Sequence, residues 1–387
     1  MKKKIAILGS TGSIGKTLLN ILNKEKKNFE IILLAANKSN EILLKQAKAF
    51  NVKNLILTNK RNYELLKKKT EHTNIKVFND FTQLNKIFKK KIDYIMSSIS
   101  GIDGLYPTLK VIKFTNKIAI ANKESIICGW NLIENELKKN KTDFIPVDSE
   151  HFSIWYGLRN LKKNELEKVF LTASGGPFYK TPLNNFKNIK VSDALNHPNW
   201  KMGKKISTDS ATMINKVYEV IEAKKIFNIT YQKIKILIHP KSYVHAILKF
   251  NNGLTNIIVH DTTMRVPIFN TLFLNTNRHL NTKKINTKIL NNLDLRNVNL
   301  IRYPMVKLLN LLPNNHSLFE TVIVSANDKL VELFLKNRIK FTDIQKSLFK
   351  LVKKKEFQKF KKILPKKIED ITNLNDYVRS KIEKNNI

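Results

Sequence analysis

Apolar and polar positions change rhythm along this chain, and the changes mark its parts. In the opening run KIAIL, Ile5–Leu8 are continuously apolar and close on Gly9; in the following SIGKTLLNIL apolar residues recur every three or four positions. A buried strand, a glycine-rich turn and an amphipathic helix are the elements this predicts. EIILLAA, NLILT, KIDYIMSSIS and NKIAIANKE repeat the strand pattern with helical stretches between them. Such alternation predicts a doubly wound, mostly parallel sheet through about residue 147. From about residue 165 shorter apolar strands (KVFLTAS, KIKILIHP, AILKF, TNIIVHD) surround one strong helical pattern over 211–227, with Asp209 or Ser210 placed to cap it. Residues 275–300 are rich in Asn, Thr and Lys, and after Pro304 the pattern is helical to the end. The expected fold class is α/β: a Rossmann-like doubly wound domain over 1–147, a central α+β domain over 148–274, a linker over 275–303 and a C-terminal helical domain over 304–387.

Composition narrows the class. A chain of 387 residues exceeds one ordinary core, and a hydrophobic fraction of 42% is that of a globular protein. The single cysteine, Cys128, excludes an internal disulfide and fits a reducing compartment, so a cytoplasmic, bacterial location is expected. The first apolar run is too short for a secretory signal, and no apolar run reaches the roughly 18 residues of a membrane span. The 70 Lys+Arg against 31 Asp+Glu leave a formal charge of +39. Those lysines are scattered and accompany abundant Asn and Ile, residues whose codons can be built from A and T, so drift in an AT-rich genome accounts for them. No nucleic-acid-binding module accompanies the charge, and no nucleic-acid partner is expected. A positive surface does attract small anionic substrates.

Several short motifs could carry chemistry. GSTGSIG (9–15) lies at the strand-to-helix junction that a dinucleotide-binding turn needs, although its spacing also fits a plain tight turn. At the end of the second strand stand Asn37, Lys38 and Ser39, with no acid for a ribose 2′-hydroxyl. A cation and neutral donors suit a 2′-phosphate, which favours NADPH over NADH. PVDSEHFSIW places Asp148 and Glu150 two residues apart; in an extended segment they share a face, as a solvated turn or as metal ligands. Asn215, Glu219 and Glu222 fall on one helical stripe, a solvated face or a functional one. Together Asp148, Glu150 and Glu219 make an all-oxygen set that suits Mg²⁺ or Mn²⁺, and the histidines lack zinc spacing. LTASGGPF offers a hydroxyl and backbone N–H groups to an anion, SATMINK offers Ser210, Asn215 and Lys216, and ANKES ends a strand where ligands bind in such sheets. HPNWKMG is a loop whose Trp200 is either a lid residue or a buried anchor.

Taken in order, GSTGSIG, ANKES, PVDSEH, SGGPF, HPNW-x-MG, DSATM-x-NK and LIHP resemble the 1-deoxy-D-xylulose 5-phosphate reductoisomerase family, from the first strand to about residue 270. The resemblance implies a three-domain homodimer that uses NADPH and a divalent metal (Mg²⁺ or Mn²⁺, with Co²⁺ admissible). It implies rearrangement and reduction of an anionic sugar phosphate, 1-deoxy-D-xylulose 5-phosphate, to 2-C-methyl-D-erythritol 4-phosphate in non-mevalonate isoprenoid synthesis. By the same similarity Thr11, Gly12, Ser13 and Ile14 line the cofactor phosphates, Asn37, Lys38 and Ser39 flank the adenosine ribose, and Asn122, Glu124 and Gly203 also touch the cofactor. Asp148, Glu150 and Glu219 hold the metal; Lys123, Ser149, Ser174, His197, Ser210, Asn215 and Lys216 hold the substrate, with Lys123 assisting proton movement or polarising an oxygen. Asn37 and Ala173 stand where glycine is expected, 155–170 looks short, and the C-terminal helices are unusually Lys-rich. Competing readings are another NADP-dependent oxidoreductase, with Cys128 as nucleophile, and a basic nucleic-acid-binding protein on a Rossmann scaffold.

Overall fold

A computed structural model describes residues 2–159, 165–274 and 276–384. It divides into two compact units: Met1–Ser125, Leu132–Phe152 and Met264–Asn281 form the first, and Ile126–Asn131, Ser153–Thr263 and Thr282–Ile387 the second.

The first unit begins with β1 (Lys3–Leu8), α1 (Ser13–Asn23), β2 (Phe29–Ala36), α2 (Asn40–Phe50), β3 (Asn54–Leu57), α3 (Lys60–Lys69) and β4 (Lys76–Phe78). It continues through α4 (Leu84–Ile87), β5 (Ile92–Ser97), α5 (Leu105–Ile112), β6 (Thr115–Ile120), α6 (Lys123–Asn140), β7 (Asp143–Pro146) and the start of α7 (Ser149–Gly157). Its seven strands lie in the order β4-β3-β2-β1-β5-β6-β7, every pairing parallel. A parallel sheet is covered on both faces, which is why its strands read as apolar runs rather than as alternation. Ile5, Ile7, Leu34, Leu55 and Met96 are buried in that core with Leu18 and Leu22 of α1. The order of strands reverses at β1, which pairs with both β2 and β5, the switch point at which ligands bind such sheets.

The second unit holds β8 (Leu166–Ala173), α8 (Val191–Leu195), α9 (Lys204–Thr212), α10 (Ile214–Phe227), β9 (Ile234–Ile238), β10 (Val244–Phe250) and β11 (Thr255–Val259). Then α11 (Arg265–Phe273) returns to the first unit, where Ile268, Phe269, Leu272 and Phe273 join the core of the parallel sheet. The segment expected as a linker supplies α12 (Thr287–Leu290) and the short edge strand β12 (Arg296–Asn297), which pairs with β9. A 3₁₀ stretch at Pro304–Leu311 and helices α13 (Phe319–Leu335), α14 (Phe341–Val352), α15 (Lys355–Gln358) and α16 (Ile368–Lys384) complete the chain. The five-stranded sheet runs β11-β10-β8-β9-β12, mixed in direction, and its Leu166, Val169, Leu171, Ala246 and Leu248 pack on Val220, Ala223 and Phe227 of α10.

Two local expectations are corrected. The helix expected over 211–227 is two helices, because Met213 takes a left-handed conformation (φ 68°) between α9 and α10; Asp209 and Ser210 lie inside α9 rather than at the start of α10. The segment PVDSE is not extended through Glu150: the Phe152 N–H donates to the Asp148 carbonyl (2.7 Å), so Asp148 heads α7 and Glu150 sits in its first turn. The short stretch expected over 155–170 falls in part on 160–164, outside the described residues. Among the described residues no helix is long and apolar enough to cross a membrane.

Candidate active site

The first unit carries a glycine cradle at the C-terminal end of β1. Gly9 has φ 84°, and its N–H and that of Ser10 both donate to the Ala35 carbonyl at 2.9 Å, tying the turn to β2. A Cβ at Gly9 would lie 2.6 Å from the Ser98 carbonyl oxygen, and one at Gly15 would lie 2.5 Å from that of Gly9. Both positions therefore require glycine. Ser10 is absorbed by the scaffold through Gln46, whereas Thr11, Gly12, Ser13 and Ile14 stay at least partly exposed and Gly12 begins α1 without a side-chain cap. Uncapped N–H groups at a helix start suit a phosphate.

Beyond β2, Asn37 and Lys38 are exposed, and Ser39 precedes α2 without a side-chain capping bond. Asn37 Nδ2 donates to Thr58 Oγ1 (2.7 Å), so Asn37 is fixed while Lys38 remains at the surface. Asn122 is buried and braced: its Oδ1 accepts from the Ser125 N–H (2.7 Å) and its Nδ2 donates to the Gly101 (2.7 Å) and Ile99 carbonyls. Glu124 follows, partly buried, in the first turn of α6.

Lys123, Asp148, Ser149 and Glu150 come together in the same unit. Lys123 is buried and its ammonium is ion-paired with Asp148 Oδ2, while His151 Nδ1 lies 3.0 Å from Asp148 Oδ1. Burial works against the charge on Asp148, but Lys123 and then His151 outweigh it and hold the carboxyl well below the usual carboxylate range. Asp148 is therefore ionised at neutral pH. Ser149 Oγ donates to Glu150 Oε2 (2.6 Å), which fixes the second carboxylate at the head of α7.

The second unit carries the remaining candidates. On α10 the Glu219 side chain is buried, accepts from Asn215 Nδ2 (2.6 Å) and is ion-paired with buried Lys216. Glu222 is buried as well, so the stripe Asn215–Glu219–Glu222 is not a solvated face. After β8, Ser174 Oγ accepts from the Gly176 N–H (3.0 Å) and lies 3.1 Å from His197 Nε2. His197 Nδ1 accepts from the Asn199 and Trp200 N–H groups (3.2 and 3.0 Å), and burial lowers the ring's pKa to about 4. The neutral ring thus carries its proton on Nε2 and donates it to Ser174, leaving the serine hydroxyl proton for an incoming anion. Gly176 (φ 66°) packs on Ser210, since a Cβ there would lie 2.9 Å from the Ser210 carbonyl oxygen. Gly203, a cofactor candidate, is exposed at the start of α9.

Reading the sequence left several of these supports without a role. His151 sits three residues after Asp148, a helical spacing hidden once the segment was taken as extended. Asn199 anchors its loop by donating to the Pro240 carbonyl (2.7 Å) and Ser242 Oγ (2.8 Å), and the Trp200 ring meets His245 edge-on at 6.3 Å. His245 in turn stacks on His260 with centroids 3.6 Å apart. Cys128 is buried within α6, which removes the exposed thiolate a cysteine-based dehydrogenase needs.

Three family profiles cover most of the chain: 1-deoxy-D-xylulose 5-phosphate reductoisomerase at residues 5–129, the reductoisomerase C-terminal domain at 144–227 and the DXP reductoisomerase C-terminal domain at 260–381. A reductoisomerase of Pelagibacter ubique is 59% identical over 98% of each chain. The chain belongs to the 1-deoxy-D-xylulose 5-phosphate reductoisomerase family. One from Sulfurihydrogenibium is 35% identical over 92% of each chain. Among solved reductoisomerases, that of Zymomonas mobilis in complex with NADPH is 28% identical with a TM-score of 0.88, covering 100% of this chain and 99% of its own. Another, in complex with NADPH, fosmidomycin and magnesium, is 27% identical with a TM-score of 0.89, over 99% and 98%.

The residues present fit both groups those relatives bind. The turn at Gly9 and Gly15 has no room for a Cβ, and no acid stands at 37–39. The carboxylates are hard oxygen donors, and Asp148 is held ionised.

Proposed function

We propose that this protein catalyses the NADPH- and divalent-metal-dependent conversion of 1-deoxy-D-xylulose 5-phosphate to 2-C-methyl-D-erythritol 4-phosphate, in isoprenoid synthesis. The observation that carries the reading is the match of 59% over 98% of both chains to a reductoisomerase. The glycine cradle and the ionised Asp148 agree with it.

Thr11, Gly12, Ser13 and Ile14 then bind the cofactor phosphates, Asn37, Lys38 and Ser39 the adenosine ribose and its 2′-phosphate, and Asn122, Glu124 and Gly203 the rest of the cofactor. Asp148, Glu150 and Glu219 hold the metal. When bound, the ion supplies Lewis-acid polarisation of the substrate's carbonyl and hydroxyl oxygens, and NADPH supplies the hydride. Lys123 holds Asp148 in its charged form and presents an ammonium that donates to, or polarises, a substrate oxygen. Ser149 orients Glu150. Ser174, Ser210, Asn215 and Lys216 bind the phosphate, with His197 fixing the Ser174 hydroxyl so that its proton points away from the ring. Binding energy from the non-reacting phosphate orders the reacting end, and the loop HPNWKMG covers it. We further propose a cytoplasmic homodimer; the single, buried cysteine and the exposed Leu254 and Ile257 at edge strand β11 support these two assignments.

The test follows NADPH absorbance with purified protein and 1-deoxy-D-xylulose 5-phosphate, first with Mg²⁺ and then with excess chelator. Oxidation that needs both substrate and metal is expected. In Glu150→Gln activity is expected to disappear while NADPH binding, read by fluorescence, is kept; full activity in that variant refutes the metal assignment.

A further inference from the structure

The phosphate-binding reading of Ser210, Asn215 and Lys216 leaves open what holds those residues in place, and the second unit contains a device for it. Asp209, next to Ser210 on α9, is 2% exposed, a position a carboxylate takes only with partners. Its Oδ1 accepts from Asn327 Nδ2 (2.8 Å) and its Oδ2 is ion-paired with Lys205 (2.8 Å). Lys205 also reaches Asp328 at 3.0 Å, so two successive residues of α13 are linked to α9, one near its start and one beyond its middle. Asn327 is fully buried and lies 118 residues from its partner.

Successive residues on a helix point about 100° apart. Fixing Asp209 on α13 therefore fixes the direction of Ser210, which lies against Gly176 of the SGGPF turn. Three residues later the backbone passes through Met213 at φ 68°, and the Lys216 N–H returns to the Met213 carbonyl (3.1 Å) as α10 begins. A left-handed methionine persists only where its surroundings impose it, and α9, clamped at Asp209, forms one side of that junction. We propose that Asp209, held by Asn327 and Lys205, is a positioning residue that sets the phosphate-binding group Ser210, Asn215 and Lys216. Helix α13 thereby contributes to substrate affinity without touching substrate.

Steady-state kinetics on the full chain with NADPH and Mg²⁺ test this through Asn327→Ala and Lys205→Met. In Asn327→Ala the KM for the sugar phosphate is expected to rise about tenfold, the size of one lost hydrogen bond to a charged group. Its kcat is expected to fall by a smaller factor than the KM rises, and the KM for NADPH to stay unchanged, because no group at the reacting end or the cofactor turn is removed. An unchanged sugar-phosphate KM, or a fall in kcat with no change in KM, overturns the proposal. Should Asn327→Ala fail to fold, Lys205→Met decides alone; its side chain is 32% exposed, and a KM rise of about threefold with kcat retained is expected. A wild-type protein that oxidises no NADPH with this substrate refutes the activity itself, a result distinct from either variant's.

Discussion

Glu219 and Lys216 offer a quantitative check on the metal assignment, because their pairing makes stability and activity respond in opposite ways. The two side chains are 1% and 4% exposed, so the pair is desolvated. In Glu219→Gln the amide keeps the shape and can still accept from Asn215, but it leaves the Lys216 ammonium buried without its countercharge. Breaking a buried pair in this way costs about 3–5 kcal/mol, whereas replacing both partners by apolar groups of similar volume is often neutral. Glu219→Gln should therefore unfold about 6–20 °C lower, at roughly 2–4 °C per kcal/mol for units of this size. Glu219→Leu combined with Lys216→Met should recover most of that loss. Activity should follow the other order, nearly absent in the single variant and absent in the double. Calorimetry without added metal, beside the NADPH assay with Mg²⁺, reads both quantities. A double variant less stable than Glu219→Gln would show that the pair is not the desolvated contact described here, and an active Glu219→Gln would remove Glu219 from the metal set.

Other consequences concern the cofactor turn and His197. Gly9→Ala places a methyl group 2.6 Å from the Ser98 carbonyl in a backbone at φ 84°. The turn must shift, and NADPH is expected to bind at least tenfold more weakly by fluorescence titration; unchanged affinity would dissociate this turn from the cofactor. Burial lowers the His197 pKa to about 4, and the unfolded ring takes up its proton near pH 6.5. The unfolded state thus binds the extra proton between these values, so the stability tied to neutral His197 is whole above about pH 6.5 and is lost as pH falls toward 4. Discounted for the ring's partial exposure, that loss is about 1–2 kcal/mol. The stability gap between wild type and His197→Asn in urea should shrink on acidification from pH 7 to pH 5; a gap that widens would contradict the neutral tautomer.

The parts of this protein that the sequence determined by itself are those set by short-range pattern. Continuous apolar runs between amphipathic helices are enough to predict a covered parallel sheet. GSTGSIG between a strand and a helix is legible as a tight glycine turn, and the absence of an acid at 37–39 already favours a 2′-phosphate. Asp148, Glu150 and Glu219 could be grouped by the chemistry of their donors. What the tertiary structure alone decided depends on partners distant in the chain or on backbone choices without a local marker. Met213 breaks a helix where neither glycine nor proline announces it. Asp148 turns into α7, whereas the apolar run before it also suits a longer strand. The Glu219–Glu222 stripe is buried by packing that its own periodicity does not reveal, and α11 returns to the core of the first unit after four of the five strands of the second sheet have been laid down. Asp209 and Asn327 meet across 118 residues. Periodicity is a property of neighbours along the chain, whereas a buried charge takes its state from whatever folding brings beside it.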